Sequence, residues 1–197
     1  MYKLYGSIKS RAFRVLWMLE EIGEPYEFIS AGPHQPDVLA LNASGKVPVL
    51  VDGDSVITDS SAIITYLADK HGKFTHPAGT IERAQQDAMT QLLLDELDAL
   101  LWTAARHSFI LPEDKRVPEV KESLKWEFER NLERLGKRIE GPFLHGDTFT
   151  IADIVATHCL NWALVAGFPV SDKAMRAYAK DMRERPAFKR SMAYLET

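Results

Sequence analysis

The chain has 197 residues, of which 46% are hydrophobic and 26% charged, and its net charge is −4. That is the balance of an ordinary globular protein long enough to bury a core, and it gives no electrostatic reason to expect nucleic acid or an anionic membrane as a partner. No apolar run reaches the roughly 20 residues needed to span a bilayer.

Tyr2–Tyr5 reads as a short strand that the chain enters at once, leaving no room for a signal peptide. After a turn at Gly6-Ser7, residues 11–22 form a helix. Phe13, Leu16, Trp17, Met18 and Leu19 give it a broad apolar face, and Gly23 and Pro25 stop it. Tyr26–Ile29 alternates as a strand, residues 31–36 form a loop, and Val38–Leu41 makes a single helical turn. The strands Val47–Asp52 and Val56–Thr58 flank Gly53 as a hairpin. A helix from Ser60 to about Lys70 then turns Ile63, Ile64 and Leu67 inward.

Residues 71–80, with two glycines and one proline, suit a linker. Beyond it the pattern is wholly helical. One long helix is expected over 81–108, with Ala84, Ala88, Leu92, Leu93 and Leu97 at core spacing. A second covers 118–140, with Leu124, Phe128, Leu132, Leu135 and Ile139 inward, and ends at Gly141-Pro142. A helix from Thr150 and two shorter ones near 172–183 and 186–195 complete the chain. The single cysteine, Cys159, has apolar neighbours that suit a buried thiol in a reducing compartment, so a cytoplasmic protein is expected.

The stretch from Gly45 to Ile64 carries the clearest chemistry. Pro48 cannot donate a ladder hydrogen bond and belongs at a strand start or edge, which leaves the Val47 backbone open to an extended, peptide-like ligand. Asp59-Ser60-Ser61 then puts a carboxylate and hydroxyls at a helix start, where exposed amides and the dipole favour a ligand carboxylate. A peptide edge beside a carboxylate site points to a small peptide ligand.

Four segments stand in order along the chain: Lys3-Leu4-Tyr5-Gly6 leading through Ser10 to Arg14-Val15-Leu16, then Asn42 to Leu50, then Asp59-Ser60-Ser61-Ala62-Ile63, and finally Leu144 to Asp153. Each alone is a weak signal. Together, over nearly the whole chain, they resemble the cytosolic glutathione transferase family, in its serine-using branch. The resemblance implies an α/β N-terminal thioredoxin-like domain, a mixed four-stranded sheet with helices, over residues 1–74. It implies an all-α C-terminal domain over 81–197, with 71–80 as the linker. It also implies glutathione as co-substrate, a hydrophobic electrophilic small molecule as second substrate, a homodimer, and no metal.

Carried onto this chain, the resemblance makes Ser10 the hydroxyl that hydrogen-bonds the glutathione thiol. Ser7 and Tyr5 remain as neighbouring alternatives, and a serine before a helix is also an ordinary cap. A thiol of ordinary pKa, about 8.5, needs no general base here, because a charge-assisted hydrogen bond and the helix dipole favour its anion. The Val47 backbone holds the cysteinyl unit, with Val47-Pro48 cis. Asp59 and Ser60 hold the γ-glutamyl end, Ser60 and the helix amides taking its carboxylate and Asp59 its amino group. His34, Gln35 and Lys46 are candidates for the glycyl carboxylate.

Trp102, Arg106, His107 and Phe109 are candidates for the electrophile pocket, mixing aromatic surface with polar handles; His158 and Trp162 are further ones. Thr150-x-x-Asp153 reads as a capping box with Asp in place of Glu. The histidines show no metal-ligand spacing, and there is no nucleotide-binding glycine loop. A conjugating enzyme is the leading expectation, and a non-catalytic ligand-binding member of the same fold is the alternative.

Overall fold

In the computed structural model, which describes residues 1–195, the first strand, β1 (Tyr2–Gly6), buries alternate residues Tyr2, Leu4 and Gly6, as a strand with one covered face should. It pairs in parallel with β2 (Tyr26–Ser30) and antiparallel with β3 (Val49–Asp52), which turns back through Gly53 into β4 (Ser55–Thr58). The result is a four-stranded mixed sheet in the order β2-β1-β3-β4, the sheet expected. Strand β3 begins at Val49 rather than Val47. Pro48 lacks an N–H, and the Val47-Pro48 bond is cis, as expected.

Helix α1 (Ala12–Ile22) joins β1 to β2 and buries Phe13, Val15, Leu16, Trp17, Met18 and Leu19. Gly23, at φ 82°, ends it by returning its N–H to Leu19. A short helix α2 (Pro36–Leu41) follows β2, and α3 (Ser60–His71) buries Ile63, Ile64 and Leu67 completely, as the sheet buries Leu4 and Leu50.

The chain divides into two compact units after Pro77, inside the expected linker, but the last helices divide differently from the expectation. From Arg183 on, the chain returns to the first unit, so the helical unit runs from Ala78 to Met182 rather than to the end. The cause is side-chain complementarity between α9 (Pro186–Ala193) and α1. Phe188 meets Phe13 and Trp17 edge-on at ring distances of 5.3 and 5.0 Å. Arg185 grips Glu21 through two nitrogens at 2.6 and 2.9 Å, and Arg190 reaches Glu20 at 2.6 Å. An amphipathic pattern states that a helix has a partner and not which one.

The second unit departs from the sequence reading at its first helix. Instead of one helix over 81–108 there is α4 (Ile81–Leu93), a π-turn over Leu94–Asp98, α5 (Ala99–Ala105) and a second π-turn over Arg106–Ile110. Ala84 and Ala88 are exposed, while Arg83, Gln86, Met89, Thr90 and Leu93 are buried. The buried polar groups are satisfied locally: Arg83 binds Asp87 at 2.9 Å, and the Thr90 hydroxyl donates to the Gln86 carbonyl at 2.9 Å. Helix α6 (Val120–Gly136) buries Leu124, Phe128, Leu132 and Leu135 as expected, and Ile139 lies beyond its end.

Helices α7 (Ile151–Val165) and α8 (Lys173–Glu184) follow. The expected capping box opens α7: Thr150 N–H donates to Asp153 Oδ2 at 2.8 Å. Asp153 does more than cap. Its Oδ1 accepts from Leu144 N–H at 2.9 Å and from the Tyr178 hydroxyl at 2.8 Å, tying the preceding loop and α8 to α7. Burial pushes its carboxyl above the ordinary value, against the pull of these donors. Among the described residues, no helix is long and apolar enough to cross a membrane.

Candidate functional site

Gly6 lets three segments of the first unit converge. A Cβ placed on it would lie 2.4 Å from Ala12 Cβ, so only glycine allows the end of β1 and the start of α1 to approach this closely, while Val47 Cβ, at 3.8 Å, would be in ordinary contact. The loop of Ser7 and Ser10 joins these two elements. Tyr5 goes elsewhere: it packs against the cluster of Ala31, Val38 and Val49, the opposite face of β1 from Leu4.

Ser10 holds the turn into α1. Its hydroxyl accepts from Ala12 N–H at 3.1 Å and donates to the Ser7 carbonyl at 2.7 Å. Ser7 Oγ accepts from Lys9 N–H at 3.3 Å. Ser10 therefore closes the turn that leads into α1, whose N-cap position is Arg11, and its single proton is directed at a backbone carbonyl.

Before β3, Asn42 braces the loop by donating from Nδ2 to the Lys46 carbonyl at 2.9 Å. His34 N–H donates to the Gly45 carbonyl at 2.8 Å, and the His34 ring covers Gly45 so closely that a Cβ there would sit 2.2 Å from Nδ1. His34 and Lys46 thus belong to one braced loop pair, both exposed, with Gln35 beside them. Neither the N–H nor the C=O of Val47 makes a hydrogen bond among the described residues.

Asp59 caps α3 from a left-handed backbone, φ 72°. Its Oδ1 takes three donors: Ser61 N–H at 2.9 Å, Ala62 N–H at 3.1 Å and the Ser61 hydroxyl at 2.5 Å. Oδ2 accepts from none among the described residues. This corrects one expectation, because two of the helix amides assigned to a ligand carboxylate are already occupied by Asp59. What remains is the Ser60 N–H and its hydroxyl. Burial raises the Asp59 carboxyl, but the Ser61 hydroxyl, the Ala62 and Ser61 amides and the Arg14 charge together hold it below its ordinary value.

Arg14 is a residue that the sequence reading passed over as part of a pattern. Fully buried on α1, it donates from Nη1 to Ser60 Oγ at 3.3 Å. A charged side chain that is never exposed is rare without a partner of this kind. The arrangement orients the Ser60 hydroxyl proton away from α1.

In the second unit, Trp102 on α5 and Arg106 on the second π-turn are half-buried, and Phe109 is 66% exposed. Arg106 donates to Thr103 Oγ1 at 3.2 Å, and its buried Nε finds no acceptor among the described residues. His107 Nδ1 accepts from Val117 N–H at 3.0 Å, which occupies it structurally. The histidines were expected to show no metal-ligand arrangement. Across 61 positions, however, Asp98 comes to lie beside His158 and Cys159, a juxtaposition that no local spacing discloses.

A four-stranded sheet in the order β2-β1-β3-β4, with α1 between its parallel strands and α3 after the hairpin, defines a thioredoxin-like class. The family models agree: "Glutathione S-transferase, N-terminal domain" matches residues 10–70, and "Glutathione S-transferase, C-terminal domain" matches residues 118–196. Glutathione S-transferase F13 of Arabidopsis thaliana is 31% identical, the alignment covering 94% of this chain and 92% of that protein. BphK, a bacterial GST solved as a ternary complex, shares the fold at a TM-score of 0.88 and 21% identity, over 99% of this chain and all of that one. The glutathione transferase URE2P6 from Phanerochaete chrysosporium, solved in complex with oxidized glutathione, is 27% identical with a TM-score of 0.82, over 98% of this chain and 95% of that one. The chain belongs to the glutathione S-transferase family.

Proposed function

We propose that this protein binds reduced glutathione in its first unit and transfers the thiol to a hydrophobic, electrophilic small molecule. The observation that carries this reading is the divided Asp59 carboxylate. Oδ1 is saturated by α3, while Oδ2 remains for an ammonium group, and the Ser60 N–H and hydroxyl stand beside it for a carboxylate. A γ-glutamyl group presents that pair of opposite charges on one carbon. The open Val47 N–H and C=O suit the cysteinyl unit, paired as a short added strand before Pro48. His34 and Lys46 are the cations nearest in sequence for the glycyl carboxylate, with Gln35 as a neutral donor.

In the reaction, the thiol proton passes to solvent, the sulfur forms a bond to the electrophilic carbon, and any leaving group departs with the electron pair. Ser10 donates its proton to the developing thiolate while keeping Ala12 N–H as a donor to its oxygen, which strengthens the hydroxyl as an acid. Trp102, Arg106 and Phe109 are assigned to the electrophile, a homodimer to the assembly and the cytoplasm to its location. Titration calorimetry with reduced glutathione tests the binding half. Wild-type protein is expected to bind, and Asp59→Asn to bind at least about tenfold more weakly, the loss of one charge-assisted contact. Equal affinities would remove the Asp59 assignment, and no binding by wild-type protein would remove the reading.

A second reading, glutathione binding without turnover, is favoured by one observation: the Ser10 proton is spent on the Ser7 carbonyl. Retention on immobilised glutathione without conjugation of an aryl halide would select it.

A further inference from the structure

Three metal-ligating side chains meet inside the helical unit, and the proposed reaction uses none of them. Asp98, His158 and Cys159 each offer one ligand atom, and all three atoms lie within 4.8 Å of one another. Cys159 is fully buried and Asp98 nearly so, with Sγ 3.9 Å from Asp98 Oδ2. His158 Nδ1 is buried as well, and its ring is set by an edge-on contact with Trp162 at 6.0 Å.

The backbone is built to deliver Asp98 there. It is the last residue of the π-turn Leu94–Asp98, whose extra residue lets the sequence neighbours Leu97 and Asp98 both face inward. Single π-turns inside helices are frequent at functional sites. Helix α7 supplies the other two ligands from consecutive positions within its most buried stretch.

We propose that Asp98, His158 and Cys159 form a three-ligand site for zinc in the helical unit. Thiolate, neutral imidazole and carboxylate are the donor set that a borderline-soft divalent cation selects. Their combined charge of −2 cancels that of the ion, so the loaded site is neutral in an interior where net charge is costly. Tetrahedral zinc with bonds of about 2.0–2.3 Å brings its donors to roughly 3.3–3.8 Å from each other, so side-chain rotation must close the trio by up to about 1.5 Å. Binding forms a Zn–S bond as the Cys159 S–H gives its proton to the buffer. Three protein ligands leave a fourth position for water. The trio belongs to the helical unit and the residues assigned to glutathione to the first, so the site is tested apart from the transferase reading.

The test uses the full chain, stripped with a chelator and reloaded with Zn²⁺ or, as a spectroscopic probe, Co²⁺. Expected are one zinc per chain retained through gel filtration, and a thiolate-to-cobalt charge-transfer band that Cys159→Ser abolishes. Asp98→Asn should weaken binding at least tenfold. A melting temperature raised by zinc and lowered again by chelator is expected of wild-type protein alone. If Cys159→Ser fails to fold, His158→Gln replaces it, read by the same zinc stoichiometry. No retained zinc, or a cobalt spectrum unaltered in the ligand variants, overturns the proposal.

Discussion

Replacing Ser10 separates a cap from a thiol donor. For its hydroxyl to serve a thiolate, the proton must leave the Ser7 carbonyl, now 2.7 Å away. A neutral hydrogen bond worth about 0.5–1.5 kcal/mol is then exchanged for a charge-assisted one worth about 1.5–3. The net gain is about 1–1.5 kcal/mol, which at 1.36 kcal/mol per pKa unit lowers the bound thiol by roughly one unit. Ser10→Ala should therefore raise the pKa of bound glutathione by about one unit and lower kcat/KM near neutral pH about tenfold. It also removes the acceptor for Ala12 N–H, which costs about 0.5–2 kcal/mol, whereas Ser10→Gly costs only a few tenths. Both variants should lose the same activity, and only the alanine variant should lose melting temperature, by about 2–4 °C per kcal/mol. Thiolate absorbance of the complex across pH, with thermal unfolding alongside, measures the two effects. A bound-thiol pKa unchanged in Ser10→Gly would refute the argument and leave Ser10 as a cap.

Asp153→Ala should destabilise the helical unit by about 3 kcal/mol or more in urea unfolding, because four buried donors lose their acceptor; Tyr178→Phe should cost about 1 kcal/mol. The Asp59 carboxyl is held low in the fold, so its capping contribution is present above the unfolded value near 3.9 and fades as pH falls through the lower folded value. The stability gap between wild-type and Asp59→Ala should accordingly be wide at pH 7 and shrink below about pH 4. Phe188→Ala should cost about 3–5 kcal/mol, read as unfolding of the first unit by amide exchange on α1.

Features written in adjacent residues were readable before any coordinates. The Thr150–Asp153 box, the helix stop at Gly23 and the Asp59 cap each depend on residues within four positions of one another. The π-turns were not readable, because the chemistry of Leu94–Asp98 is that of any helix and the extra residue per turn answers to tertiary packing. Nor was the buried face of α4, whose inward residues include Arg83, Gln86 and Thr90; a search for apolar spacing selects Ala84 and Ala88 instead. In the candidate site, the Asp59 cap and the open backbone at Val47 could be read from the chain. The support that Arg14 gives Ser60 from 46 positions away exists only once α1 and α3 are packed, and the Ser7 carbonyl's hold on the Ser10 hydroxyl, though local, answers to the turn's backbone geometry and to no residue type.

The clasp between α9 and α1 also bears on how the protein is made. A chain is synthesised from its N-terminus, and early domains usually fold before later ones emerge. Here the cover over Phe13 and Trp17 arrives only with Phe188, after the whole helical unit has been translated. Until then the nascent first unit carries an uncovered aromatic face on the same helix that bears Arg14 and follows Ser10. The first unit is thus the first to be translated and the last to be finished.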